Sequence, residues 1–167
     1  SQTIADAIEC GEISTEEVFR FVRRGDTRML SGLLRSDTVD VDGFKDRFGN
    51  TLLIVAVQCL ESKMVKILLE FGADPNLCNN SGNSPLHYAL SYSQGGGVIV
   101  DMLLSRGADT TARNSLGLLP YDGISEADDS KHSQNVLFDK LRLVDAAFRA
   151  ADEGKLLGIE QFLEYRF

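Results

Sequence analysis

The chain has 167 residues, 43% of them hydrophobic, and its 25 acidic side chains outweigh 17 basic ones to a net charge of −8. That apolar content is enough for a core, while the acidic balance argues against a general nucleic-acid binder. The longest apolar run, Leu52 to Val57, is far too short to span a bilayer, and no basic-then-apolar segment marks a secretory signal.

Residues 1–12 carry a short amphipathic pattern, with Ile4, Ala7 and Ile8 on one helical face and Gly11 ending it. Ser14-Thr15-Glu16-Glu17 is a capping-box pattern that starts a helix with Val18, Phe19, Phe21 and Val22 on its apolar side, broken at Gly25. A second helix from Asp26 or Thr27 to about Leu34 turns Met29, Leu30, Leu33 and Leu34 inward. An acidic stretch follows from Ser36 to Lys45, with Asp37, Asp40 and Asp42. Thr51 then caps a helix through Val57, partnered by Lys63 to Glu70 with Met64, Val65, Leu68 and Leu69 buried. Gly72-Ala73-Asp74-Pro75-Asn76 reads as a helix stop and a turn. Ser84 is a good N-cap, Pro85 suits the first helical position, and Leu86 and Ala89 share a buried face.

Val100, Leu103 and Leu104 follow Val65, Leu68 and Leu69 by 35, whereas Ser84 follows Thr51 by 33. Two extra residues therefore fall between Ala89 and Val100, and Ser91 to Gly97 is expected as a flexible inter-helix loop. A phosphate cradle is disfavoured there, since no Gly-Lys-Ser/Thr follows and no strand precedes it. Gly117 to Pro120 opens another unit, and Gly123 to Gln134 is polar and acidic. Asn135 to Leu143 reads as helix, and residues 145–154 with Leu156, Ile159, Phe162 and Leu163 fit a last helix pair. A calcium loop at Asp152 fails because Gly154 and Leu156 bring no side-chain oxygen. The chain stops at Phe167, where a further turn is expected to start, which suggests a protein that continues.

These elements repeat. Gly49-Asn50-Thr51-Leu52-Leu53 precedes Gly82-Asn83-Ser84-Pro85-Leu86-His87 by 33 (82 − 49), and Gly117-Leu118-Leu119-Pro120-Tyr121 follows it by 35 (117 − 82). Gly107-Ala108-Asp109-Thr110 likewise follows Gly72 by 35 (107 − 72). With that period and a Thr-Pro-Leu-His-like helix start, the chain resembles the ankyrin-repeat family, most strongly over Asp46 to Pro120. The resemblance implies an all-α solenoid of stacked helix pairs with β-turn fingers. The expected organisation is ankyrin repeats over residues 1–121, comprising an N-terminal helix pair, two clear repeats and the start of a fourth. A polar loop or degenerate helix follows at 122–134, then C-terminal helices, a degenerate repeat or cap, at 135–167. Leu119 replaces the capping Thr or Ser of the family, and Asp122 stands where its His belongs.

In the family, partners meet the finger tips and the exposed side of the first helices. By position these are Arg47, Phe48, Asn50, Val55 and Gln58 in the second repeat. They are Asn80, Ser81, Asn83, Tyr88, Ser91 and Tyr92 in the third, and Ser115, Leu116 and Leu118 in the fourth. Phe48, Tyr88, Tyr92, Leu116 and Leu118 are then expected to face solvent, as a binding patch requires. The resemblance also gives His87 a structural role near the finger. It places Asn76 where asparagine hydroxylation occurs in the family, against which Pro75 speaks.

Cys10, Cys59 and Cys78 are odd in number, widely spaced and without a Cys-x-x-Cys pair, which fits reduced, spectator thiols, buried or semi-buried. Arg20, Arg23, Arg24 and Arg28 read as a solvated face. No nucleophile–base pair, metal cluster or phosphate loop stands out. The expected function is a protein–protein interaction module without catalysis, cofactor or metal, in the cytoplasm or nucleus. Its partner is another protein or a peptide, with no nucleic acid and no membrane insertion, and the oligomeric state stays open. The alternative is a regulatory or scaffolding segment of a larger enzyme or channel.

Overall fold

A computed structural model describes residues 14–35, 39–92 and 96–122. The chain divides into two units at residue 123, and all described residues belong to the first. The N-terminal pattern around Ile4, Cys10, Asp37 and everything expected of residues 124–167 lie outside the described residues.

Six helices form three antiparallel pairs: α1 (Thr15–Arg23) with α2 (Thr27–Leu34), α3 (Leu52–Gln58) with α4 (Ser62–Glu70), and α5 (Pro85–Ser91) with α6 (Gly96–Ser105). The first helices α1, α3 and α5 pack in one row and the second helices α2, α4 and α6 in another. Among the described residues there is no strand, only one isolated antiparallel bridge between Lys45 and Thr51 at the base of a finger.

Local chemistry sets the helix starts. Ser14 and Glu17 close the expected capping box on α1, and the Asp26 carboxylate accepts from the Met29 N–H to start α2. The Thr51 hydroxyl accepts from the Ile54 N–H at 3.3 Å. At α5 the cap is reciprocal: Ser84 precedes Pro85, and His87 Nδ1 accepts from the Ser84 N–H at 3.1 Å. The next unit uses another side chain in the same place. Asp122 Oδ2 accepts from the Leu119 N–H at 2.8 Å, so the departure at Asp122 preserves the contact.

Position in the stack explains the burial pattern. Helix α3 has neighbours in α1, α4 and α5, and all six residues from Leu52 to Val57 are buried. A helix enclosed on every side has no polar face to keep. The outer helices bury one stripe each, Leu30, Leu33 and Leu34 in α2 and Met64, Val65, Leu68 and Leu69 in α4. In α6 the stripe is Ile99, Val100 and Leu103, while Leu104 is half-buried.

The expected loop from Ser91 to Gly97 is shorter than the glycines suggested. Gly96 and Gly97 are already helical, and Gly96 lies so close to the Ala89 carbonyl that a Cβ there would collide with it. Glycine at this point lets α6 fold back tightly against α5. The equivalent turns after α1 and α3 both need a left-handed residue, supplied by Gly25 (φ 66) and Leu60 (φ 56). In each, the backbone closes a Schellman pattern, with Asp26 N–H on the Phe21 carbonyl and Glu61 N–H on that of Ala56.

Candidate protein-interaction face

Three β-turn fingers, 46–50, 79–83 and 114–118, are built from one plan. An Asx side chain opens each finger and holds two backbone N–H groups of its own turn. Asp46 Oδ1 accepts from Phe48 and Asn50, Asn79 Oδ1 from Ser81 and Asn83, and Asn114 Oδ1 from Leu116 and Leu118, all at 2.9–3.1 Å. The fourth residue of each turn is a glycine in the left-handed region, Gly49 (φ 75), Gly82 (φ 72) and Gly117 (φ 76).

Neighbouring fingers are joined twice. The Asn80 N–H donates to the Phe48 carbonyl and the Ser115 N–H to the Ser81 carbonyl, each at 3.0 Å. Beside these run side-chain rungs: Asn79 Nδ2 donates to Asn50 Oδ1 and Asn114 Nδ2 to Asn83 Oδ1, both at 2.9 Å. Asn50 Nδ2 completes the ladder on Asp46 Oδ2 at 3.0 Å. His87 links the helices to it, its Nε2 lying 3.2 Å from the Leu118 carbonyl. Since Nδ1 accepts from Ser84, the proton sits on Nε2 and points to that carbonyl. The structural role expected of His87 is therefore seen.

The anticipated contact residues divide by burial. Arg47 and Phe48 are exposed at the first tip, the guanidinium 4.8 Å from the ring centroid, and Phe48 is 56% exposed. Asn80, Ser81, Ser91 and Ser115 are exposed, and Leu116 and Leu118 are 80% and 41% exposed. Gln58 and Tyr92 are half-buried. Asn83 is half-buried and occupied as a rung. Tyr88 is half-buried too, its hydroxyl accepting from Asn79 Nδ2 at 2.8 Å. Asn50 and Val55 do not face solvent. Asn50 is 5% exposed because it is an inner rung, and Val55 is 3% exposed because α3 is enclosed on every side.

The residues that organise this face, Asp46, Asn79 and Asn114, are not among those anticipated from the sequence. Their signal is the recurrence of an Asx residue at spacings of 33 (79 − 46) and 35 (114 − 79), three positions before each finger glycine.

Burial pushes the Tyr92 hydroxyl above its ordinary range, with Cys59 and Tyr88 adding to it. Burial likewise raises the Cys59 thiol, Arg23 partly opposing it, and the Cys78 thiol, helped by Asp109 and Asp74. Both cysteines are free and exposed, with only part of each covered: Cys59 lies at the end of α3 and Cys78 just after the turn at 75–76. Among the described residues no group of His, Cys, Asp and Glu has metal-ligand geometry. No described helix is long and apolar enough to cross a membrane.

Helix pairs stacked in two rows, with turn fingers laddered along one edge, define a helical-repeat protein, a class that presents surface rather than a reaction centre. The chain belongs to the ankyrin-repeat family: the model for ankyrin repeats (3 copies) matches residues 18–114. It is 37% identical over 68 residues to an ankyrin repeat protein of Fowlpox virus, covering 41% of this chain and 15% of that one. It is 39% identical over 85 residues to ankyrin repeat domain-containing protein 13C of Xenopus tropicalis, covering 49% and 16%. It is 35% identical over 101 residues to mouse protein phosphatase 1 regulatory subunit 27, covering 60% and 64%. The chain thus spans less than two thirds of the length of each.

Proposed function

We propose that the chain binds a partner protein or peptide on the face formed by the finger tips and α5, and performs no catalysis of its own. The observation that carries this reading is the row of exposed apolar groups on the fingers. Phe48, Leu116 and Leu118 project from an otherwise polar ladder whose amide rungs join neighbouring fingers. Aromatic and aliphatic groups on a rigid frame lose little entropy on binding, so they make good anchors. Arg47 beside Phe48 adds a cation to the first tip, and Asn80, Ser81, Ser91 and Tyr92 complete a mixed rim.

A narrower form of the same reading makes the partner an enzyme that the chain regulates. The likeness to a protein named as a phosphatase regulatory subunit supports it. In both forms Asn50 and Val55 are excluded from contact by burial.

Site-specific photo-crosslinking tests the reading. A photoreactive residue at position 48 is expected to capture a partner, while one at position 66 on the outer helix row is not. Capture of the same partner at 66 and none at 48 contradicts the assignment.

A further inference from the structure

Charge is sorted along the loops that carry the fingers. Segments 45–50, 79–83 and 113–118 hold three cations, Lys45, Arg47 and Arg113, against one acid, Asp46, a net of +2. The chain as a whole carries −8, so everything outside these segments sums to −10 (−8 − 2). The acids of the same loops come before the fingers, in the turns that follow the second helices: Asp40, Asp42, Asp74 and Asp109. Those turns are joined to one another, Asp42 Oδ2 accepting from the Asp74 N–H and Asn76 Oδ1 from the Asp109 N–H. A cationic row of fingers thus runs beside an acidic row of turns.

The cations on the fingers have no carboxylate of their own. Lys45, Arg47 and Arg113 are exposed, and among the described residues none of them takes part in an ion pair. The Arg47 guanidinium lies 4.8 Å from the Phe48 ring centroid, and Arg113 Nη1 donates to the Gly117 carbonyl at 2.6 Å. Asp46 is occupied by its own turn, accepting from the Phe48 and Asn50 N–H groups and from Asn50 Nδ2. A guanidinium held beside an exposed ring suits a carboxylate that comes with an apolar neighbour.

Spacing sets the length of such a ligand. Lys45 and Arg113 are equivalent, each preceding the Asx residue that opens its finger, and they stand two units apart. Packed helices lie about 8–10 Å from one another, so two units span about 16–20 Å. An extended chain rises about 3.3 Å per residue and covers that distance in about five or six residues.

We propose that the partner segment is an extended acidic peptide that runs along the finger tips, one carboxylate on Arg47 and Lys45, another on Arg113, and an apolar side chain on Phe48. This rests on the finger-tip reading given above and adds the chemistry of the partner to it. The acidic turns repel the same peptide, which keeps it on the finger side of the loops. The exposed Phe48 and Leu118 favour a peptide over a polynucleotide, since they ask for apolar groups between the charges.

Selection of displayed random peptides against the full chain tests the proposal. Enriched peptides are expected to carry acids about five or six positions apart, with an aromatic or aliphatic residue between them. Fluorescence anisotropy of one selected peptide then compares variants. Arg47→Glu is expected to weaken its binding about tenfold or more, at the wild-type melting temperature, and raised salt is expected to weaken it on the wild type. Should Arg47→Glu melt lower, Arg47→Gln removes the charge without adding another and is again expected to weaken binding. Enriched peptides without an excess of acids overturn the proposal; if they still lose binding on Phe48→Ala, the finger-tip reading stands and only the acidic partner falls. Peptides that bind Arg47→Glu, Arg47→Gln and Phe48→Ala as they bind the wild type overturn both. An oligouridine that binds more tightly than the selected acidic peptide also overturns the proposal, in favour of single-stranded nucleic acid.

Discussion

Asn79 in the second finger donates to Oδ1 of Asn50 in the first at 2.9 Å, and to the Tyr88 hydroxyl at 2.8 Å. Its Oδ1 holds the N–H groups of Ser81 and Asn83. One side chain thus builds its own turn through its oxygen and ties three parts of the fold through its nitrogen. The two jobs separate by mutation. Asn79→Asp keeps the acceptor and loses the donors, and is expected to cost about 1–2 kcal/mol. Asn79→Ala loses both and is expected to cost more. Urea denaturation measures each; an Asn79→Asp variant as stable as the wild type would show that the inter-finger rung contributes nothing, and equal losses in the two variants that the turn acceptor adds nothing.

Gly82 and Gly117 share a backbone conformation, but among the described residues only Gly82 has a close neighbour. Alanine at either pays the left-handed penalty of about 1–2 kcal/mol. Only at Gly82 does the new Cβ also press on Ser115 N in the next finger. Gly82→Ala is therefore expected to unfold at lower denaturant than Gly117→Ala, and the gap measures the closeness of finger stacking.

Leu60 holds the left-handed turn that Gly25 holds in the preceding pair. Leu60 is 37% exposed, so its side chain is only partly packed. Leu60→Gly is expected to stabilise the chain by about 0.5–1 kcal/mol, as relief of backbone strain outweighs the added unfolded-state freedom. A lowered thermal midpoint would show that the leucine side chain packs better than its exposure suggests.

A second ladder joins the turns behind the fingers. Asp42 Oδ2 accepts from the Asp74 N–H at 3.0 Å, and Asn76 Oδ1 accepts from the Asp109 N–H at 2.7 Å, while Asn76 Nδ2 also donates to the Gly107 carbonyl. Burial raises the Asp42 carboxyl above its ordinary value; the Asp74 N–H opposes this, and the Asp40 and Asp74 charges add to it. The folded chain then holds the Asp42 proton more tightly than the unfolded chain does. Stability from this group is full below the ordinary carboxylate range, near pH 4, and falls as pH rises through the raised value. Asp42→Asn, which copies Asn76, is expected to raise the melting temperature at pH 7 and to lose that advantage at pH 3. An advantage equal at both values would point to the added amide donor instead of the removed charge.

Much of this fold was legible in the residues. Capping boxes, helix stops and the 33–35 spacing carry local chemistry that acts within a few positions, so Ser14, Thr51 and Ser84 mark their helices directly. The candidate face was less so. Asn50 and Val55 occupy positions that repeat alignment assigns to a surface, yet burial depends on the neighbouring unit: Asn79 covers the first, and α1, α4 and α5 enclose the helix of the second. Gly96 and Gly97 read as loop because glycine favours loops, whereas close approach to Ala89 was the governing requirement.

Whether the finger-tip face binds is tested most directly by titrating the partner captured at position 48 into purified variants by calorimetry. Phe48→Ala removes a ring that is 56% exposed, and is expected to weaken binding by about 2 kcal/mol, roughly thirtyfold, at an unchanged melting temperature. Lys66→Ala with Glu70→Ala, on the outer row, is expected to bind as the wild type does. Wild-type affinity for Phe48→Ala, with affinity lost on changing Lys66 and Glu70, contradicts binding at the finger tips.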